Sequence, residues 1–212
     1  MNMNVDLNRD RLKEIIQQLI NKNNIPDSGI RITLTGGYSE DGYSLAKPNL
    51  LISQTAFIFN TENFNKGIRL VTYNHQRQLQ HIKTIDYLQA IRLQPFIKEN
   101  SADDVLYHNA NAIRECPRSN FFIVNENDEV LTPSKNVLRG ITRKKILQFS
   151  EFNIKEADIN LKDIDDAKEA FITSTTKNVL PVLKIDGKMI GDGKPGKITS
   201  GIYEKLVEIK ER

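Results

Sequence analysis

A single lysine, Lys83, lies where a pattern typical of a strand gives way to a pattern typical of a helix. Upstream, residues 67–73 (GIRLVTY) alternate and are rich in β-branched side chains, which predicts a strand. Downstream, Ile85, Leu88 and Ile91 recur at three-residue spacing and predict an apolar-faced helix. A lysine held against an apolar wall loses solvation of its ammonium form, so its neutral amine can attack a carbonyl group and give a Schiff base. Lys83 is therefore a candidate nucleophile, and a solvated lysine at a helix start is the alternative that this window alone favours.

Composition excludes several classes of function. With 212 residues, of which 39% are hydrophobic, the chain can bury a core as one large domain or two small ones. Its net charge of +3 is spread along the chain without a basic block, which argues against a nucleic-acid partner. No apolar run reaches the ~20 residues that span a bilayer, and the start lacks the apolar core of a signal peptide, so we expect no membrane partner and a cytoplasmic location. The single Cys116 excludes an internal disulfide, and three scattered histidines predict no metal site.

The first part of the chain predicts a short unit of mixed structure. Residues 8–24 carry apolar side chains at helical spacing, and residues 30–35 and 49–53 read as strands. Residues 59–65 are polar and prone to turns. We therefore expect a domain boundary there, with domains at 1–60 and 61–212.

The second part predicts strands at 104–109, 121–124 and 130–132, the last two forming a hairpin. A glycine-containing turn at 138–140 then feeds a helix, whose first free amides, those of Ile141 and Thr142, would accept an anion such as phosphate. An ordinary helix start capped by Thr142 is about equally plausible.

Four consecutive hydroxyl side chains, at 173–176, end a predicted strand at 171–176 that follows a short helix at 163–171. They could donate to phosphate oxygens, although β-propensity alone also accounts for threonine in a strand. Beyond them we expect a hairpin at 179–190 with an Asp-Gly turn, and a final helix that turns Ile202, Leu206 and Ile209 inward.

The order of these elements resembles a known family. A lysine at a strand–helix junction, Glu115 followed five residues later by Asn120, the turn LRGITR at 138–143 and the strand end TSTT at 173–176 together resemble the class IV, or fold-type IV, pyridoxal-phosphate-dependent aminotransferases. That family includes branched-chain and D-amino acid aminotransferases and aminodeoxychorismate lyase. The resemblance implies an α+β fold, with a small α/β domain at 1–60 followed by a larger β-barrel-like domain with flanking helices at 61–212. It also implies a homodimer, and we expect the small domain to lack its N-terminal segment.

The same resemblance suggests a role for each site residue. Lys83 is similar to the lysine that binds pyridoxal 5′-phosphate and moves the α-proton, and Glu115 to the carboxylate that faces the pyridine nitrogen. Leu138 is similar to the residue against the ring. The expected phosphate-binding residues are Ile141, Thr142, Ser174 and Thr175, with Thr176 a weaker candidate, and Gly140 is expected to be a cofactor-binding residue. We expect Tyr87 to serve packing only.

The resemblance implies amino-group transfer between an amino acid and a 2-oxo acid, with an apolar, branched-chain L-amino acid as the expected substrate. In the D-amino acid enzymes an arginine follows the threonine of the strand that corresponds to residues 30–35, and here that position is Gly36. Aminodeoxychorismate lyase activity, which forms 4-aminobenzoate, and an inactive remnant that only binds the cofactor are the alternatives.

Overall fold

The chain divides between Phe59 and Asn60 into two units, Met1–Phe59 and Asn60–Arg212. The structure is a computed structural model that describes residues 3–211. Within that range no helix is long and apolar enough to cross a membrane.

The first unit consists of one helix and one hairpin. Helix α1 (Arg9–Asn23) begins after Asn8, whose side chain accepts a hydrogen bond from the N–H of Arg11 at 2.8 Å, and ends at Asn24 in the left-handed conformation. Strands β1 (Ser28–Thr35) and β2 (Asn49–Ala56) pair antiparallel. The predicted helix and both predicted strands of this unit are confirmed.

The second unit contains ten strands and six helices in its described residues. In chain order these are α2 (Glu62–Lys66), β3 (Ile68–Asn74), α3 (Leu88–Arg92), α4 (Gln94–Glu99), β4 (Asp104–Asn109), β5 (Ala112–Ile113), β6 (Glu115–Cys116), β7 (Ser119–Val124), β8 (Val130–Pro133), α5 (Ile141–Ile146), β9 (Ile154–Ala157), α6 (Leu161–Asp165), β10 (Glu169–Ser174), β11 (Asn178–Ile185), β12 (Lys188–Met189) and α7 (Lys197–Glu211).

These strands form one curled, half-barrel sheet. Its order is β5-β4-β3-β11-β10-β7-β8-β9, with β12 paired to β11 and β6 paired to β7. Strand β3 runs parallel to both β4 and β11, and β8 runs parallel to β9, whereas the other pairs are antiparallel. A mixed sheet with separate helices confirms the predicted α+β class.

Helix α7 buries its apolar face on this sheet. Ile202 and Leu206 belong to one cluster with Phe122 and Phe171, whose rings stack at a centroid distance of 4.7 Å. The prediction for Ile202 and Leu206 is confirmed. The prediction that Ile209 turns inward is wrong, because this residue lies in the last turn of α7 and is 38% exposed.

The helix predicted after Lys83 is interrupted. It begins only at Leu88, and Pro95 at the start of α4 separates two short helices. Leu93 and Ile97 are the side chains that turn into the core, in a cluster with strands β3 and β4. The predicted apolar stripe points outward, with exposed fractions of 73% for Ile85, which precedes α3, 76% for Leu88 and 64% for Ile91.

Three further predictions need correction. Helix α6 ends at Asp165 rather than near 171, and a capping box of Asn160 and Asp163 fixes its start. Strand β10 ends at Ser174, so Thr175 and Thr176 lie in the turn that follows. Helix α2 and strand β9 were not predicted; β9 depends on a parallel partner that lies far away in sequence, which a local pattern does not reveal.

Candidate active site

A cavity in the second unit brings together four separate stretches of chain. They are the loop after β3, the turn between β6 and β7, the start of α5 and the end of β10. Eight of the nine residues predicted for the site line this cavity: Lys83, Glu115, Leu138, Gly140, Ile141, Thr142, Ser174 and Thr175. Thr176 lies next to the lining, with its Oγ1 3.4 Å from the Oγ of Ser174.

Sequence reasoning missed about as many lining residues as it found. These are Arg77, Thr84, Tyr87, Pro117, Arg118, Ser119 and Asn120, while Thr173, noted in the sequence as one of four consecutive hydroxyls, also lines the cavity. Tyr87 was expected to serve packing only, but its position in the lining is also compatible with contact to a ligand. For Arg77 the sequence carries no local signal, because its main partner is 38 residues away.

Glu115 is a buried carboxylate in the lining, with 4% of its surface exposed. Its Oε1 accepts a hydrogen bond from Arg77 Nε at 3.1 Å, and its Oε2 accepts one from the N–H of Leu138 at 2.9 Å. Burial raises the pKa of the carboxyl above its ordinary value, whereas the Leu138 N–H and the Arg77 guanidinium act in the opposite direction. Both oxygens are thus occupied, which fixes the orientation of the carboxylate.

Arg77 also holds the loop that carries Lys83. Its remaining N–H groups donate to the carbonyl oxygens of Gln80 at 3.0 Å and Ile82 at 3.4 Å. One guanidinium therefore links the Glu115 carboxylate to the backbone just before Lys83.

Lys83 itself is exposed and lies in the loop between β3 and α3. The helix predicted beside it starts only at Leu88, and the apolar stripe that was expected to form a wall against the lysine is exposed. The lysine nevertheless lines the same cavity as Glu115.

The turn before α5 is fixed against strand β7. Asn120 donates from Nδ2 to the carbonyl oxygen of Leu138 at 2.6 Å, and a Cβ on Gly140 would come within 2.3 Å of Asn120 Oδ1. Only glycine therefore fits at position 140 without displacing Asn120. Gly140 is also the residue that precedes α5, and no side chain among the described residues caps that helix, so the alternative of Thr142 as the cap is wrong.

The end of β10 contributes a group of hydroxyls. Ser174 Oγ accepts a hydrogen bond from the N–H of Lys177 at 3.1 Å. Thr173 is 1% exposed, and its Oγ1 has no hydrogen-bond partner among residues 3–211. A buried hydroxyl without a partner carries a desolvation cost, which a water or a polar ligand group in the cavity would relieve.

The comparison with known protein families shows which family the chain belongs to. The model of the amino-transferase class IV family matches residues 1–185. The chain belongs to the class IV aminotransferase family. It is therefore an enzyme of this class, and class IV aminotransferases use pyridoxal 5′-phosphate.

Individual relatives agree with this assignment. A D-alanine aminotransferase of Listeria monocytogenes is 28% identical over 216 residues, which cover 96% of this chain and 74% of that protein. A putative 4-amino-4-deoxychorismate lyase of Legionella pneumophila superposes with a TM-score of 0.83 at 25% identity, covering 99% of this chain and 78% of that one. A branched-chain amino acid aminotransferase of Escherichia coli shares the fold, with a TM-score of 0.84 at 21% identity over 98% of this chain and 72% of that one.

The cavity of this class IV aminotransferase fits the cofactor in chemical type. A carboxylate at Glu115 suits a pyridinium nitrogen, and the hydroxyls of Thr173, Ser174 and Thr175 suit a phosphate. Lys83 supplies the primary amine. Within residues 3–211 no group of His, Cys, Asp and Glu side chains could hold a metal ion.

We expect Arg77→Met to lower the free energy of unfolding by about 3–5 kcal/mol near pH 7, because it leaves a buried carboxylate without its counter-charge. A carboxyl whose folded-state pKa is raised above its unfolded-state value stabilises the fold at low pH, and that stabilisation is lost as pH rises through the folded-state pKa. The substitution raises the pKa of Glu115 further. The loss of unfolding free energy in Arg77→Met should therefore be smaller when urea unfolding is repeated near pH 5.

The matched control is Lys135→Met, which removes an exposed ion pair with Asp158 at 3.3 Å and should change stability little at either pH. A deficit in Arg77→Met that is equal at both pH values would show that the Glu115 charge is not its cause.

Proposed function

We propose that this enzyme transfers an amino group between an apolar, branched-chain L-amino acid and a 2-oxo acid, with the cavity around Lys83 as its active site. The observation that carries the proposal is that one cavity is lined by a primary amine at Lys83, a buried carboxylate at Glu115 and a set of hydroxyl donors at 173–175. When bound there, pyridoxal 5′-phosphate supplies an electron sink for the substrate carbanion.

In this proposal Lys83 Nζ holds the cofactor covalently and, when released, moves the α-proton of the substrate. Its exposure on the cavity side and its place in a loop leave the side chain free to swing between these two tasks. The hydrogen bonds from Arg77 to the carbonyl groups of Gln80 and Ile82 limit the movement of the backbone that carries it.

Glu115 keeps a proton on the pyridine nitrogen. Its orientation by Arg77 and by the N–H of Leu138 supports this role, because a fixed, ionised oxygen beside a ring nitrogen favours the protonated ring. Leu138 also lines the cavity, which supports contact between its side chain and the ring.

The phosphate would be held at the other group of polar donors. Those we propose are the amides at the start of α5, at Ile141 and Thr142, and the hydroxyls of Ser174 and Thr175. Gly140 permits the close approach of this turn to Asn120, and Thr176 supports Ser174 through the contact between their hydroxyls.

The proposal that the substrate is an L-amino acid rests on the residue that follows β1. The sequence places Gly36 there, which offers no cation for a substrate carboxylate, whereas D-amino acid enzymes place an arginine at the corresponding position. The D-alanine aminotransferase relatives make D-alanine the substrate to test against this proposal. The likeness to the putative lyase of Legionella pneumophila makes aminodeoxychorismate lyase activity the second candidate function.

The covalent role of Lys83 is tested by reduction. Protein supplied with pyridoxal 5′-phosphate should show a visible absorbance band that borohydride bleaches, and the cofactor should then stay attached to the peptide that contains Lys83. Lys83→Ala should lose the attachment, and Lys98→Ala, a substitution in helix α4, should keep it. Peptide mapping that finds the cofactor on a different lysine rejects the assignment.

The substrate proposal is tested with a panel of amino donors. With 2-oxoglutarate as acceptor, L-leucine and L-valine should be turned over at least about tenfold faster than D-alanine, because the D-substrate lacks its carboxylate partner. Faster turnover of D-alanine would assign the D-specific activity, and release of 4-aminobenzoate from aminodeoxychorismate would assign the lyase. Lys83→Ala serves as the inactive control in each assay.

We also propose that the enzyme is a homodimer and that a second copy covers the stripe formed by Ile85, Leu88 and Ile91. These side chains are all more than half exposed, and a row of large apolar side chains in water is typical of an interface. The stripe directly follows Lys83, so the partner copy would stabilise the loop that carries the catalytic amine.

The dimer proposal predicts that Ile85→Glu combined with Ile91→Glu converts the protein to a monomer in sedimentation velocity, because two charges would be buried in the interface. Met189→Glu, at an exposed apolar residue in β12, should leave the mass unchanged. A wild-type protein that sediments as a monomer at micromolar concentration would contradict the proposal.

A further inference from the structure

Lys177 lies just behind the hydroxyl wall of the cavity and contacts two of its serines. Its Nζ donates to Ser119 Oγ at 3.3 Å, and its backbone N–H donates to Ser174 Oγ at 3.1 Å. Both serines line the cavity, whereas Lys177 does not. The two contacts come from one residue in the turn between β10 and β11.

The ammonium is held in place by a carboxylate. Lys177 Nζ lies 3.3 Å from Asp104 Oδ2 at the start of β4, and both side chains are largely buried. This ion pair joins the β10–β11 turn to a strand on the far side of β3 in the sheet order. Asp104 therefore fixes the direction in which Lys177 points, and Ser119 receives one of its remaining protons.

These contacts decide which way the serine protons point. A hydroxyl has one proton to donate and two lone pairs that accept. Ser119 and Ser174 each accept a hydrogen bond from Lys177, so their own protons are left for another acceptor. Thr176 Oγ1, at 3.4 Å from Ser174 Oγ, can donate to the second lone pair of Ser174 and leave that arrangement intact.

A separate observation points to an anionic acceptor in the same place. Thr173 precedes Ser174, lines the cavity, and has a buried hydroxyl with no hydrogen-bond partner among the described residues. The hydroxyl protons of Ser174 and Ser119 are therefore available to a ligand group that accepts several hydrogen bonds, in the cavity that Thr173 also lines. A phosphate has that capacity, since it carries three acceptor oxygens.

We propose that Lys177 is a positioning residue for the phosphate group of the bound ligand, acting through the hydroxyls of Ser119 and Ser174. The ammonium orients and polarises the Ser119 hydroxyl, which makes it a stronger donor to an anion. This inference rests on the proposed function, in which the phosphate of pyridoxal 5′-phosphate binds at these hydroxyls, and adds Ser119 and Lys177 to the residues that recognise it.

The experiment compares two ligands that differ only in the phosphate. Binding of pyridoxal 5′-phosphate and of pyridoxal to the apoprotein is measured by absorbance titration for the wild type, Lys177→Met, Lys177→Arg and Ser119→Ala. Lys177→Met should weaken binding of pyridoxal 5′-phosphate by about tenfold and leave binding of pyridoxal unchanged, because only the phosphate contacts are lost. Lys177→Arg should retain most of the affinity, since the cation and a donor remain.

The matched control is Lys188→Met, which removes a lysine paired with Asp165 at 2.6 Å in an exposed position and should change neither affinity. A second measurement tests the path through Ser119. In a Ser119→Ala background, the further substitution Lys177→Met should cost much less than tenfold, because the hydroxyl on which the ammonium acts is gone.

Two results would overturn the proposal. Unchanged affinity of Lys177→Met for pyridoxal 5′-phosphate would show that the ammonium does not act on the phosphate. An equal loss for both ligands would show that the residue only supports the fold, and thermal unfolding of each variant would report the same defect. If Lys177→Met does not fold, Ser119→Ala decides, since a phosphate-specific loss supports the proposal and an unchanged affinity rejects it. Wild-type protein that binds neither ligand would overturn the proposed function itself.

Discussion

The site depends on one buried ion pair, between Arg77 and Glu115. A carboxylate with so little exposure is costly to keep ionised, and burial does raise its pKa. The guanidinium and the N–H of Leu138 offset part of that cost by occupying both oxygens. The same guanidinium also donates to the carbonyl groups of Gln80 and Ile82. A single side chain therefore orients the Glu115 carboxylate and holds the backbone that precedes Lys83. In the proposed mechanism, the residue that orients the carboxylate therefore also orients the amine.

Most of the hydrogen-bond donors around 173–175 and the start of α5 are neutral, although Arg118 also lines the cavity. Hydroxyls at the end of β10 and the amides at the start of α5 carry no net charge, and the nearby ammonium of Lys177 is balanced by Asp104. An anion placed among such donors gains hydrogen bonds mainly from neutral groups. The buried hydroxyl of Thr173, in the same lining, has no hydrogen-bond partner among the described residues. A carboxylate at Glu115 and hydroxyl donors at 173–175 in one cavity together suit a ligand with a protonated ring nitrogen and a phosphate.

The segment that carries Lys83 is followed by helices that pack in the core on one face and expose apolar side chains on the other. Leu93 and Ile97 anchor the helices that follow it in the core, while Ile85, Leu88 and Ile91 point into solvent. A loop that is anchored on one face and apolar on the other fits the proposed dimer, in which a second copy would cover the stripe. The apolar wall that the sequence suggested beside the lysine would then belong to the interface and not to the cavity.

The sequence by itself determined the elements whose stabilising contacts are local. Helix α1, the strands β1 and β2, the hairpin of β7 and β8 and the Asp-Gly turn follow from short motifs, because each motif fixes its own backbone. Eight of the nine predicted site residues line the cavity, and the resemblance to a known family pointed to Glu115 and Leu138 among them. Only the tertiary structure decided the rest. The pairing of Arg77 with Glu115, the contact of Lys177 with Ser119 and the parallel strand β9 join residues far apart in the chain. Likewise, Leu93 and Ile97 pack in the core while the stripe at Ile85, Leu88 and Ile91 is exposed. The spacing of apolar residues along the sequence does not specify which of them pack inside.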